Sequence, residues 1–287
     1  MNTDTHKKKI GIIGFPLGHS LSPDMHNYIY KALSIDYYYD RWEIDEKNLS
    51  SEFKKITQEN FLGANVTVPY KEKIISYLDD LNDESKITGA VNTIVNQNDK
   101  LVGFNTDIFG IECCLNNKFG DTNLNNVVLI GSGGAAKAAL YVLLNKGIEN
   151  LTIINRTKSN VENMLKRFSK INCKYEILNF SDKNEMKIKS MQSDLIINTS
   201  TLGMKGSGME SLSPLDPDCI SEKSVIFDLV YNPGVTKLMS MAISKNADII
   251  EGIDMLVYQA SKSIELWTGL TPSFEEMKNK CLELLKK

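Results

Sequence analysis

The sequence is poor in the residues that most often bind metal. It has three histidines, His6, His19 and His26, and five cysteines, Cys113, Cys114, Cys173, Cys219 and Cys281. No two cysteines have the CxxC spacing and no histidine completes a ligand set with them, so no metal site is expected. An odd number of unpaired cysteines also argues against a disulfide framework and for a reducing compartment. An excess of one charge is missing too: 33 Lys and Arg against 36 Asp and Glu give a formal net charge of −3. Such a chain has no general attraction to nucleic acid or to an anionic membrane, and an anionic ligand would need a local concentration of donors. No run of ~18 apolar residues occurs, which excludes a transmembrane helix. The opening MNTDTHKKK, followed by IGIIGFPLG, has an apolar core too short and too broken by glycine for a signal peptide. These absences point to a cytoplasmic protein, with no nucleic-acid or membrane partner expected.

What is present suits two domains. A length of 287 residues exceeds one minimal domain, and 42% hydrophobic with 24% charged residues is ordinary for a chain that buries real cores. Short β-branched runs recur: KIGIIGF, DYYYDRWEI, GANVTVP, VVLIGSG, LTIINRT, SDLIINTS, VIFDLVY and ADIIEGI. Helical periodicity separates most of them, as in PDMHNYIYKALSI, where Met25, Ile29 and Leu33 lie four apart. The alternation predicts an α/β protein with mostly parallel sheets. Two runs flanking NQND predict a hairpin instead. The stretch 110–127 turns rich in Asn, Gly and Asp before a new apolar strand, and the domain boundary is expected within or just before it.

VVLIGSGGAAKAALYVLL is the most interpretable segment. A strand runs into Gly131, Ser132, Gly133, Gly134, Ala135 and Ala136, and a helix pattern follows, the G-x-G-x-x-A dinucleotide fingerprint. Gly131 permits the tight turn, Gly133 lets a pyrophosphate approach, and Ala136 keeps the helix close to the strand. The helix N-terminus offers unpaired N–H groups to the phosphates. An NAD site carries an acidic residue ~20 residues further on, accepting from the ribose 2′-hydroxyl. The next strand ends instead in Asn155, Arg156 and Thr157, followed by Lys158. Those donors suit a 2′-phosphate, which points to NADP(H).

The first half carries a second set of polar residues. In GHSLSPDMH, Ser22 reads as a helix N-cap with Pro23 at the first helical position. Ser20 has no such duty, and with Ser22 it presents two hydroxyls suited to a carboxylate. GANVTVPYK, GAVNT and GFNTD contribute Asn65, Thr67, Lys71, Asn92, Thr93, Asn105, Thr106 and Asp107 at strand ends, where α/β sheets bind ligands. From NVTVPYK alone, Lys71 reads as the first charge of a helix.

The motifs HSLSPDMH, NVTVPYKE, GAVNT, NTD, GSGGAA, NRT and MLVYQA, in this order over residues ~10 to 270, resemble the shikimate dehydrogenase (shikimate/quinate dehydrogenase) family. The resemblance implies three segments: a substrate-binding and catalytic α/β domain over 1–108, an NADP-binding Rossmann domain over 109–252, and C-terminal helices over 253–287 packing back on the first. It implies NADPH-dependent, reversible reduction of 3-dehydroshikimate to shikimate, in a monomer or homodimer. Ser20 and Ser22 would hold the substrate carboxylate, with Tyr231 of DLVYNP beside it. Thr67, Asn92, Asp107 and Gln259 would contact ring oxygens or their neighbours, Lys71 and Asp107 would stand at the chemistry, and Gly252 would join the cofactor site. Many relatives carry a second arginine where this chain has Asn160, and Lys158 or Lys137 would have to compensate.

The chemistry agrees. Hydride transfer to a ring ketone places negative charge on oxygen, which calls for a proton or a cation. An unperturbed lysine titrates near ~10.4; a closed site lowers that value and a neighbouring carboxylate raises it. Two assignments therefore stand, with Lys71 or Asp107 carrying the proton. Two other functions stand beside the main one: a broader quinate/shikimate dehydrogenase using NAD or NADP, and a dinucleotide-sensing regulator without catalysis.

Overall fold

The computed structural model describes residues 8–286 except His19. The opening segment through Lys7, with His6, and His19 of the HSLSPDMH motif lie outside the described residues. The chain forms two compact units, residues 1–106 with 257–287, and residues 107–256.

The first unit begins with β1 (Lys9–Gly14), α1 (Ser22–Ala32), β2 (Tyr38–Glu43), α2 (Leu49–Ile56) and β3 (Phe61–Val66). It continues with β4 (Asp80–Leu81), α3 (Asp83–Thr88), β5 (Thr93–Gln97) and β6 (Lys100–Phe104). The strand order is β2-β1-β3-β5-β6-β4. The first three strands run parallel, and β5 is antiparallel to both β3 and β6. The hairpin around NQND is β5–β6. Asn98 and Asp99 close it with φ of +53° and +65°, the left-handed pair a two-residue turn needs to match strand twist. Ile13, Phe53, Val66, Tyr70, Ile74 and Ile94 belong to the core.

Helix α4 (Thr106–Phe119) carries the chain into the second unit. It takes up most of the Asn- and Gly-rich stretch: Asn116 and Asn117 are helical, and irregular backbone starts only at Gly120. The second unit contains β7 (Asn126–Ile130), α5 (Gly134–Asn145), β8 (Asn150–Ile154), α6 (Lys158–Leu165), β9 (Lys174–Leu178) and α7 (Lys183–Met191). Then follow β10 (Leu195–Asn198), β11 (Val225–Asp228), α8 (Lys237–Ser244) and β12 (Asp248–Glu251). Its sheet is wholly parallel, in the order β12-β11-β10-β7-β8-β9. This is the doubly wound dinucleotide-binding order, with the switch point between β7 and β10. α9 (Gly252–Thr268) leads back into the first unit, which α10 (Phe274–Leu285) completes. Among the described residues no helix is long and apolar enough to cross a membrane, and no group of three His, Cys, Asp or Glu could hold a metal ion.

One local expectation is corrected. Helix α1 starts at Ser22 itself, Leu21 is the N-cap, and no side chain caps the helix. The chain is already helical at Leu21 (φ −80°, ψ −13°), so Ser22 is too far in to act as a cap. Its amide instead donates to Ser20 Oγ at 3.4 Å.

His26 of α1 is buried and stacked on Tyr39, with ring centroids 4.1 Å apart and 12° between planes. Tyr30 and Trp267 close round it at 5.8 and 5.9 Å. Neither ring nitrogen has a hydrogen-bond partner, and burial lowers its pKa from 6.5 to about 3. The folded protein thus keeps this imidazole neutral, while the unfolded chain takes up a proton below ~6.5. Stability from this group is complete above ~6.5 and falls by ~1.4 kcal/mol per pH unit as pH drops toward 3. We predict that His26→Leu unfolds in urea with a midpoint near wild type at pH 7.5 and loses less stability than wild type between pH 6.5 and 4.5. Equal losses in the two proteins would contradict this.

Candidate active site

In the first unit, six polar side chains meet where the ends of β3, β5 and α4 face the middle of α9. All are buried: Asn65, Asn92, Thr93, Thr106, Gln259 and Ser263. Their orientation follows from one backbone donor. Thr106 N–H donates to Asn92 Oδ1 at 2.7 Å, which fixes which end of the Asn92 amide is oxygen. Asn92 Nδ2 must then be the donor to Gln259 Oε1 at 3.2 Å. The same Oε1 lies 3.4 Å from Thr106 Oγ1. Asn65 is fixed in the same way. Its Nδ2 donates to Asn92 O at 3.2 Å, and its Oδ1 accepts from Tyr39 Oη at 2.7 Å. Ser263, one turn after Gln259, receives Asn65 Nδ2 at 3.0 Å and donates to Gln259 O at 3.0 Å. Its hydroxyl also lies 2.9 Å from that of Thr93. The i, i+4 spacing of Gln259 and Ser263 was the available signal for this serine, and the sequence reading did not assign it a role.

NVTVPYK and GAVNT are neighbours in space. Val66 N donates to Asn92 O and Val91 N to Lys71 O, both at 2.8 Å. Tyr70, buried, anchors the turn through its hydroxyl on Ile44 O at 2.6 Å. Lys71 precedes the short 3-10 turn Lys73–Tyr77 and is half-buried, so it is not the opening charge of a helix. Thr67, also half-buried, packs its methyl over the end of β1, where a Cβ on Gly14 would come within 2.4 Å of Thr67 Cγ2. Ser20 lies on the turn after β1, and Ser22 is the first residue of α1. That turn is held by Leu17 N on Glu43 Oε2 at 3.0 Å and by Arg41 Nη2 on Ser20 O at 3.3 Å. Asp107 is buried in the first turn of α4, where the helix dipole favours a carboxylate.

In the second unit, Gly131 has φ of +114°, and a Cβ there would lie 2.4 Å from Thr199 Oγ1. That hydroxyl donates to Ile130 O at 2.6 Å, so the turn tolerates no side chain. Gly133, the N-cap of α5, would meet nothing within 4 Å and offers no side-chain cap. Open space thus lies over the unpaired N–H groups of a twelve-residue helix. Ser132, Gly134 and Ala135 are half-exposed beside it, while Ala136 is fully buried against the core. These features fit a pyrophosphate.

After β8, the loop that would meet a 2′-phosphate is braced by its backbone. Asn155 N donates to Leu178 O at 3.1 Å, Asn155 Nδ2 to Thr157 O at 2.8 Å, and Asn179 Nδ2 to Arg156 O at 2.7 Å. Arg156, Thr157 and Lys158 are exposed, and Thr157 is the N-cap of α6 with no side-chain cap bond. Lys137 is buried and is not an exposed charge, which leaves Lys158 as the second surface cation of this loop.

Tyr231 is half-buried on the turn after β11, and Gly252 is buried at the start of α9. A Cβ on Gly252 would meet Asp228 O at 2.6 Å and Leu229 O at 2.7 Å. Asp228 itself, fully buried at the end of β11, is a residue the sequence reading did not single out. Burial pushes its pKa up to about 6, against three hydrogen bonds that favour the ionised form.

Comparison with known proteins identifies the family. Residues 12–94 match the shikimate dehydrogenase substrate binding domain, 114–211 the shikimate / quinate 5-dehydrogenase family, and 252–282 the shikimate 5′-dehydrogenase C-terminal domain. The NADP(+) shikimate dehydrogenase of Carboxydothermus hydrogenoformans is 38% identical over 97% of this chain and 98% of its own. That of Methanococcus maripaludis is 38% identical over 96% of each. A solved shikimate dehydrogenase in complex with NADP+ superposes with a TM-score of 0.88 at 33% identity, covering 98% of this chain and 96% of its own. The Listeria monocytogenes enzyme, solved with shikimate and NAD, gives 0.84 at 30% identity, covering 96% of each chain. With relatives this similar along nearly its whole length, the chain belongs to the shikimate dehydrogenase family.

Proposed function

We propose that this chain is an NADP-dependent shikimate dehydrogenase, reducing 3-dehydroshikimate reversibly to shikimate in chorismate and aromatic amino-acid biosynthesis. The observation that carries this reading is the near-full-length similarity to NADP(+) shikimate dehydrogenases, in a chain that keeps both the polar cluster and the glycine turn at the switch point. Bound NADPH supplies a hydride to the ring ketone. The chain's task is to hold the ring and deliver a proton to the ketone oxygen. Ser20 and Ser22 take the carboxylate, as hydroxyls not used in helix capping, with Tyr231 beside it. Thr67, Asn92 and Gln259 position the ring oxygens.

Lys71 passes the proton, and Asp107 orients the hydroxyl that results. In the reverse direction Lys71 takes the proton back. Gly131, Ser132, Gly133, Gly134 and Ala135 hold the pyrophosphate, Gly252 lines the cofactor site, and Asn155, Arg156, Thr157 and Lys158 hold the 2′-phosphate. The enzyme works on a small molecule, without nucleic acid, as a monomer or homodimer. A cytoplasmic setting suits five cysteines that are all thiols.

Lys71→Ala should lower kcat by ~10²–10⁴-fold, the loss expected for a positioned acid/base, with an unchanged unfolding midpoint. Near-normal turnover in this variant would remove Lys71 from the mechanism. Arg156→Ala should raise the Kd for NADP+ by ~10-fold or more and leave that for NAD+ within about twofold, since a charge-assisted pair contributes ~1.5–3 kcal/mol. Equal losses for both dinucleotides would overturn the 2′-phosphate assignment.

A further inference from the structure

The second unit buries a carboxylate that the proposed chemistry does not use. Asp228 Oδ1 accepts from Asn198 Nδ2 at 2.9 Å and from Val230 N at 3.1 Å, and Oδ2 accepts from Thr236 Oγ1 at 2.6 Å. All three are neutral donors, and each belongs to a different segment. Asn198 ends β10, and its own Oδ1 takes Ser200 N at 3.0 Å and Ser200 Oγ at 2.7 Å. Val230 sits in the turn that carries Tyr231. Thr236 caps α8, accepting from Met239 N at 3.1 Å. Backbone bonds reinforce the same junction: Leu229 N to Asn198 O at 3.0 Å, and Lys205 N to Asn232 O at 2.7 Å. Gly252 packs directly on Asp228 and Leu229, where no Cβ would fit.

A buried carboxylate facing only neutral donors is an expensive way to fill a core, and an apolar side chain would leave those donors unmet. Its position gives it a use. In a doubly wound sheet each half takes one mononucleotide. The half made of β7, β8 and β9 carries Arg156 and takes the adenosine end. The half made of β10, β11 and β12 therefore takes the nicotinamide end, and its carboxyl-terminal turns are the ones gathered on Asp228.

We propose that Asp228 is a positioning residue for the nicotinamide half of the dinucleotide site, its carboxylate setting the Thr199–Ser200 turn and the Leu229–Tyr231 turn as one unit. Its effect on shikimate, exerted through Tyr231, rests on the function proposed above. Its effect on the dinucleotide does not depend on the identity of the substrate.

The test compares Asp228→Asn, Thr236→Val and Thr236→Ser in the full chain, using NADPH and adenosine 2′,5′-bisphosphate as binding probes and shikimate with NADP+ for kinetics. Asp228→Asn and Thr236→Val should weaken NADPH and lower kcat/KM for shikimate, each by about tenfold or more, as misplaced contacts do. Bisphosphate affinity should stay within about twofold, because the adenosine end is not held by this network. Thr236→Ser keeps the hydroxyl and should recover what Thr236→Val loses. A parallel fall in bisphosphate affinity would make Asp228 a general stability residue and overturn the proposal, as would unchanged NADPH binding in both variants. Absence of shikimate turnover in the wild type would refute the proposed substrate alone, since the ratio of NADPH to bisphosphate affinity is measured without shikimate.

Discussion

One hydrogen bond organises the substrate half of this protein: the Thr106 amide on Asn92 Oδ1. A backbone N–H cannot accept, so the Asn92 amide has a single permitted orientation, and that orientation passes to Gln259. The bond joins the residue just before β5 to the first residue of α4, and its consequence reaches α9. These two helices are where the chain leaves the first unit and returns to it. Secondary-structure geometry thus dictates which side-chain atoms can be offered to a ligand, before any ligand is considered. Buried polar clusters rigidify a site only when every member is satisfied, and here Ser263, Thr93 and Thr106 supply the hydroxyls that complete the set.

The dinucleotide half depends on a different constraint, close backbone approach. Gly131 has no room for a side chain because Thr199 fills it, whereas Gly133 faces open space that a phosphate can take. The two glycines of one motif thus serve opposite purposes, one for packing and one for the ligand. At the far side of the switch point the constraint becomes electrostatic, since the turns after β10 and β11 converge on the buried Asp228 carboxylate.

Much of this was legible in the sequence, and the exceptions have physical causes. The strands with dense β-branched runs were all evident, as was the Asn98–Asp99 hairpin. Strand β9 was missed because it lies at the edge of its sheet and KYEIL is only partly buried, which leaves little apolar signal. Asn116 and Asn117, in the Asn-rich stretch where a domain boundary was expected, are helical, because the apolar face of α4 through Ile108, Ile111 and Leu115 outweighs their weak propensity. Ser22 was given the wrong capping position, since a Ser-Pro pair marks a helix start only to within a residue. The motif residues stood out because small polar side chains at strand ends are unusual at that density. Ser263 and Asp228 did not, because each acts through partners distant in sequence: Asn65 for one, Asn198 for the other.

The central claim is that donors built for a carboxylate-bearing ring and for a 2′-phosphate coexist in one chain. It is tested most directly by measuring kcat/KM for the four pairings of shikimate or quinate with NADP+ or NAD+. Shikimate with NADP+ should exceed each other pairing by ~10-fold or more, the scale of one or two charge-assisted hydrogen bonds. Comparable values with quinate or with NAD+, or no turnover with shikimate and NADP+, would contradict the account.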